Sequence, residues 1–88
     1  MERDTQASGG GAKMTGFDRI THNPAIMGGK PIIRGMRVTV AMIVGQIGAG
    51  VTIEELLAGY PYLEREDILQ ALRYAARLAE EREAAFDA

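Results

Sequence analysis

Apolar positions recur with a helical period over much of the second half of the chain. Ile53, Leu56, Leu57 and Tyr60 stand at i, i+3, i+4 and i+7, one face of a helix. Thr52 and Glu55 flank its start with capping-box spacing. Gly59 loosens the end of this helix, and Pro61 disfavours helical geometry at Tyr60. A further helix is expected from near Glu64, with Glu66 and Asp67 in its first turn, where carboxylates suit the positive end of the helix dipole. Its buried face is expected to be Ile68, Leu69, Leu72, Ala75, Ala76 and Ala79. Upstream, Val40, Ile43, Val44 and Ile47 make the stripe of an earlier helix that begins at Thr39 or Val40 and ends at Gly48 and Gly50.

Before Thr39 the period changes. Ile20-Thr21-His22, Ile32-Ile33 and Val38-Thr39-Val40 are short β-prone pieces. Asn23-Pro24 and Gly28-Gly29-Lys30-Pro31 are turn signals, and Arg34-Gly35 reads as a tight bend. So small a β-arm is not stable by itself. It must lie on the helices or pair with the same arm of another subunit. The expected fold is mainly α: a three-helix helix-turn-helix domain, homeodomain-like or winged-helix-like, with a short N-terminal β-arm. Its expected organisation is a disordered arm over 1–16, the domain over 17–83 and a flexible tail over 84–88.

Composition narrows the classes. The 88 residues make one small domain, and at this size a dimer would help stability. The absence of cysteine removes disulfides, thiolate nucleophiles and zinc-thiolate sites, and it suits a reducing cytoplasm. No apolar run approaches the roughly 20 residues of a membrane span. The N-terminus lacks the apolar core of a secretory signal. The net charge of −2 conceals an asymmetry: −1 over residues 1–18, +4 over 19–53 and −5 over 54–88. A basic middle and an acidic C-terminal half predict two kinds of partner.

Chemistry is sparse. His22 is the single histidine, with Asp18 the one carboxylate close to it in sequence, so a turn or surface role is expected rather than a metal site. Gly28-Gly29-Lys30 lacks the spacing of a phosphate loop and no helix follows it at once. Nothing assembles a nucleophile, a base and an oxyanion donor. No enzymatic activity, metal or cofactor is expected. For a polyanion, Lys30, Arg34 and Arg37 are the candidate phosphate contacts. Arg65, Gln70 and Arg73 are the candidate readers of base edges on the last helix, although its acidic start repels phosphate.

The run from Ile20 to Pro24, the segment Gly28-Gly29-Lys30-Pro31-Ile32-Ile33-Arg34-Gly35-Met36-Arg37-Val38, the stretch Gly50 to Leu57, and Tyr60-Pro61-Tyr62-Leu63 with Asp67-Ile68 together resemble the bacterial and archaeal family known as domain of unknown function 433 (DUF433). The resemblance covers residues 19 to about 79. It differs at Met36, where the family usually has Thr, and at Glu64, where it often has Ser or Thr. The resemblance implies a three-helix fold with a β-arm. It also implies a likeness to VapB-type antitoxins, which pair with a PIN-like ribonuclease toxin and repress their own operon by binding DNA as a homodimer. On that basis the expected function is the antitoxin of a type II toxin–antitoxin module in the cytoplasm. Its toxin-facing end would comprise Arg77, Leu78, Arg82 and Phe86 on an acidic helix laid into a partner groove. The alternatives are a stand-alone DNA-binding transcription regulator, and a protein-interaction module without DNA binding.

Overall fold

A computed structural model describes residues 16–87, with side chains described to Glu83. Three helices follow a two-strand arm: β1 (Ile20–Thr21), β2 (Ile32–Ile33), α1 (Val40–Gly48), α2 (Ile53–Gly59) and α3 (Arg65–Asp87). The expected arm over 1–16 lies, apart from Gly16, outside the described residues.

The arm forms because its two strands pair antiparallel, Ile20 with Ile33 and Thr21 with Ile32. Between them Asn23 makes the turn, its Oδ1 accepting the Ala25 N–H at 2.9 Å. After β2 the chain reverses through Arg34 and Gly35, whose φ angles are 46° and 74°. The Met36 N–H closes this turn on the Ile33 carbonyl at 2.8 Å. Two successive left-handed residues are the mark of a type I′ turn, and an arginine accepts that backbone only at a cost. The return brings Thr39 into a bridge with Ile32. Ile20, Ile32, Ile33 and Val38 are all buried. The arm therefore lies on the helices.

Each helix is delimited by local chemistry. The Thr39 hydroxyl accepts the Met42 N–H at 3.0 Å and caps α1. At the other end the Gly50 N–H reaches the Ile47 carbonyl and the Val51 N–H reaches that of Gln46, both at 3.0 Å. With Gly50 at φ 101°, this is a Schellman closure. The α2 capping box is complete: Glu55 N–H to the Thr52 hydroxyl at 3.1 Å, and Thr52 N–H to Glu55 Oε1 at 2.8 Å. α3 packs mainly on α1 and less on α2. Phe17, Ile20, Ile33, Val38, Val40, Ile43, Leu56, Leu63, Ile68, Ala71 and Tyr74 form one cluster, with Phe17 set edge-on to Tyr74 at 5.4 Å between ring centroids.

One expectation for α3 is corrected. Its buried face is not the stripe from Ile68 to Ala79. It is Asp67, Ile68, Gln70, Ala71 and Tyr74, with Leu69, Leu72 and Ala75 half-buried and Ala76 and Ala79 exposed. The helix is turned toward the arm because the arm supplies partners for Asp67 and Gln70, and a polar side chain is buried only where it is hydrogen-bonded. α3 ends at Asp87, inside the stretch 84–88 assigned above to the tail. No helix among the described residues is long and apolar enough to cross a membrane.

Candidate functional site

Asp67 is fully buried and accepts hydrogen bonds at both oxygens. Oδ1 takes Arg19 Nη1 at 2.9 Å and Arg34 Nε at 3.0 Å. Oδ2 takes Arg34 Nη2 at 2.9 Å and the Glu64 N–H at 2.8 Å. Arg34 thus grips the carboxylate with two prongs, the strongest form of this contact. The same Arg34 Nη2 donates to the Tyr62 carbonyl at 2.9 Å, and Arg19 Nη1 also reaches Glu64 Oε1 at 2.6 Å. Burial pushes the Asp67 carboxyl up. Hydrogen bonds from Arg34, the Glu64 N–H and Arg19 outweigh it and hold the group below the usual carboxylate range. Hydrogen bonds to Glu64 and Asp67 raise Arg19 in turn, and the bond to Asp67 raises Arg34. One carboxylate therefore joins the arm, the α2–α3 turn and the first turn of α3.

Beside this clasp, the Gln70 amide holds the entry to the arm. Its Oε1 accepts the Arg19 N–H and its Nε2 donates to Asp18 Oδ1, both at 3.0 Å. His22 is exposed, as expected of a turn histidine. Its Nδ1 lies 3.2 Å from the Gly29 carbonyl and its Nε2 lies 3.4 Å from the Tyr74 hydroxyl. A neutral ring with its proton on Nδ1 satisfies both contacts. Among the described residues no three His, Cys, Asp or Glu side chains gather as a metal site.

The six side chains expected to meet DNA do not form one free surface. Arg34 is committed to Asp67 and the Tyr62 carbonyl. Gln70 is 4% exposed and bonded to the arm, so it cannot reach a base edge without unfolding that contact. Arg65 Nη2 pairs with Glu54 Oε2 at 2.7 Å, and Arg73 Nη2 with Glu66 Oε2 at 2.6 Å. Hydrogen bonds from Arg65 and from its own N–H, with the Arg65 charge, hold the Glu54 carboxyl low. Lys30 and Arg37 are exposed and make no ion pair among the described residues.

Arg37 edges a shallow cavity of about 210 Å³ lined also by Met36, Val38 and Tyr62. Tyr62 is 52% exposed and stands edge-on to Tyr60. The residues expected to face a toxin lie on the far half of α3. Every side chain from 76 to 83 is exposed, Leu78 among them at 40%. Arg77 makes one loose contact there, Nε to Glu81 Oε2 at 3.9 Å. The Phe86 side chain lies outside the described residues.

The sequence reading missed Arg19 and the double duty of Asp67. One signal was available: Asp67, Ala71 and Tyr74 stand at i, i+4 and i+7, so the carboxylate shares a stripe with two core residues.

Comparison with known proteins bears on this arrangement. A family model described as a protein of unknown function (DUF433) matches residues 20–75. A Sinorhizobium fredii (strain NGR234) protein, named uncharacterized protein y4eO, is 39% identical over 56 residues, which are 64% of this chain and 25% of that protein. This chain thus spans about a quarter of that relative's length. The crystal structure of a DUF433 member protein from Anabaena variabilis is similar at a TM-score of 0.67 and 31% identity, over 80% of this chain and 69% of that one.

Proposed function

The chain belongs to the DUF433 family of proteins of unknown function, and from that premise we propose that it is the antitoxin of a type II toxin–antitoxin module, non-enzymatic and acting in the cytoplasm. The family core over 20–75 serves as a rigid mount, and the half of α3 beyond it binds a PIN-like ribonuclease toxin. One observation carries the reading. The family match stops at residue 75, and every side chain from 76 to 83 is exposed on a continuing helix. A helix that outruns its own core has a face to give to another protein's groove. Leu78, with Arg77 and Arg82 among acids, offers an apolar contact inside a charged surround. The toxin-facing set is Arg77, Leu78, Arg82 and Phe86.

The test is co-expression with the product of the adjacent reading frame. A complex that survives purification is expected, and Leu78→Glu with Arg82→Glu is expected to abolish it while the chain still folds. A complex indifferent to those changes, or no complex, defeats the reading.

Operator binding is a second reading, favoured by the free exposure of Lys30 and Arg37. With Arg34 and Gln70 held inside the molecule and Arg65 and Arg73 paired to surface acids, Lys30 and Arg37 are the two of these residues left as phosphate contacts. Binding to the DNA upstream of its own gene should then fall with salt at a logarithmic slope of about −2 per chain. A slope twice as steep, or one unchanged in Lys30→Ala with Arg37→Ala, would point to other contacts.

A further inference from the structure

The apolar line of α3 outlasts the core it serves. Asp67, Ala71 and Tyr74 are buried at i, i+4 and i+7, and Leu78 follows four residues later on the same face. Leu78 is the one large apolar side chain of α3 that is exposed among the described residues. An exposed leucine means little in itself. This one extends the centre of a packed face one turn past its last partner. Glu80 and Glu83 lie on another side of the helix, whereas Glu81 shares the side of Tyr74. Burial pushes the Tyr74 hydroxyl up, and the Glu81 charge adds to that shift.

The course of the chain brings a cover to this place. Phe17 lies edge-on to Tyr74. Asp18 then meets Gln70, and Arg19 meets Asp67 and Glu64, so from Phe17 onward the chain descends α3 toward its start. What precedes Phe17 therefore arrives beside the open end of the stripe. Gly16, at φ 87°, turns the chain there without strain. Leu78 lies about 6 Å beyond Tyr74 and Glu81 roughly 10 Å beyond it, at about 1.5 Å per helical residue. Met14 stands three residues before Phe17 and Lys13 four, a reach of roughly 10 and 13 Å at about 3.3 Å per extended residue. Met14 is the large apolar residue nearest Phe17 on that side, and its unbranched side chain adapts to an irregular surface. Charge plays a small part, since 76–83 carries two arginines against three glutamates. Glu81 has one partner there, the loose 3.9 Å contact with Arg77.

We propose that residues 13–15 fold back along α3 as a strap, with Met14 on Leu78 and Lys13 beside Glu81. Leu78 belongs to the toxin-facing set, so the strap is an internal competitor for that surface. This consequence alone rests on the toxin reading. The strap lies outside the core cluster and bears little on the thermal midpoint.

The chain has no cysteine, so an introduced disulfide reports the contact without background. The full chain carrying Met14→Cys with Leu78→Cys is oxidised at about 5 μM, dilute enough to disfavour links between copies. The disulfide should close within one chain, at least about tenfold faster than in Met14→Cys with Glu80→Cys, because Glu80 stands at a similar height on the other side of the helix. Mass spectrometry reads the link and whether it joins one chain or two, and far-UV circular dichroism verifies that each variant is folded. A control pair that closes as fast, a link found only between two chains, or no link would each overturn the strap. In the chain without cysteine, Met14→Ser with Lys13→Glu should release Leu78 and tighten the complex with the product of the adjacent reading frame at least about threefold. A complex of unchanged or weaker affinity overturns the occlusion. Absence of any complex defeats the toxin reading and the occlusion with it, while the disulfide decides the strap by itself.

Discussion

Replacing Asp67 by Asn tests the central physical claim about this fold. The substitution keeps the size of the side chain but removes its charge and turns one oxygen into a donor. Four donors converge on the carboxylate: Arg19 Nη1, Arg34 Nε, Arg34 Nη2 and the Glu64 N–H. An amide leaves two of them facing N–H. Hydrogen bonds to a charged group contribute about 1.5–3 kcal/mol each, but such losses do not add. Here the arginine side chains are 26% and 37% exposed, so water recovers part of what is lost. A net cost of about 2–3 kcal/mol follows for Asp67→Asn, well below the sum of the four contacts. In a domain of this size that lowers the thermal midpoint by roughly 10–20 °C. The assay is thermal and urea unfolding followed by far-UV circular dichroism at neutral pH. Glu54→Gln is the control, because it breaks an ion pair of similar length whose side chains are 52% and 72% exposed. If Asp67→Asn costs no more than Glu54→Gln, the clasp does not hold the arm to α3, and the reasoning is wrong.

The same group sets a pH dependence. Asp67 has a lower affinity for its proton folded than unfolded. Its contribution is therefore fully present above the unfolded value, near 4 for an ordinary aspartate, and is lost as pH falls through the lower folded value. The stability gap between wild type and Asp67→Asn should accordingly be constant from pH 5 to 7 and shrink in more acid solution. A gap that widens on acidification would contradict the assignment.

Other expectations follow from individual contacts. Thr52→Ala removes one half of the α2 capping box and should cost about 1 kcal/mol, read as a drop of about 4–8 °C in the thermal midpoint. Ile43→Ala opens a cavity at a fully buried position and should cost about 2–5 kcal/mol in urea unfolding. Gly35→Ala meets no neighbour but must hold φ at 74°, so it should destabilise by about 1 kcal/mol or more through backbone strain alone. Leu78→Ser should leave the midpoint of the isolated chain at low concentration nearly unchanged, because Leu78 is 40% exposed and outside the core.

Much of the architecture was legible because its determinants are local. Thr52 and Glu55 are three residues apart, and Thr39 and Met42 likewise, so both caps can be read from spacing. The bend at Arg34-Gly35 and the apolar pieces around it declared the arm. What was hidden depends on distant partners. An acid in the first turn of a helix already has a local explanation in the dipole, so the one local mark of burial, the stripe that Asp67 shares with Ala71 and Tyr74, carried little weight. Its partners Arg19 and Arg34 lie 48 and 33 residues away. The face of α3 was misread for a related reason. Alanines at 75, 76 and 79 weigh little, whereas Tyr74 brings a large ring that settles on Phe17 and turns the helix with it. The cationic residues were found by their type, but exposed lysine and arginine cannot be told from paired ones until the opposing acids are located.

The long sequence separations at Asp67 also bear on how long the native state lasts. Its contacts with Arg19 and Arg34 can form only after the arm, the turn and α3 have been brought together. Contacts of such long separation are expected to form after the folding transition state, so Asp67→Asn should raise the unfolding rate far more than it lowers the folding rate, as stopped-flow chevron plots would show. On that expectation Asp67 sets the molecule's lifetime: the arm is held by a bolt that is thrown only once the door is shut.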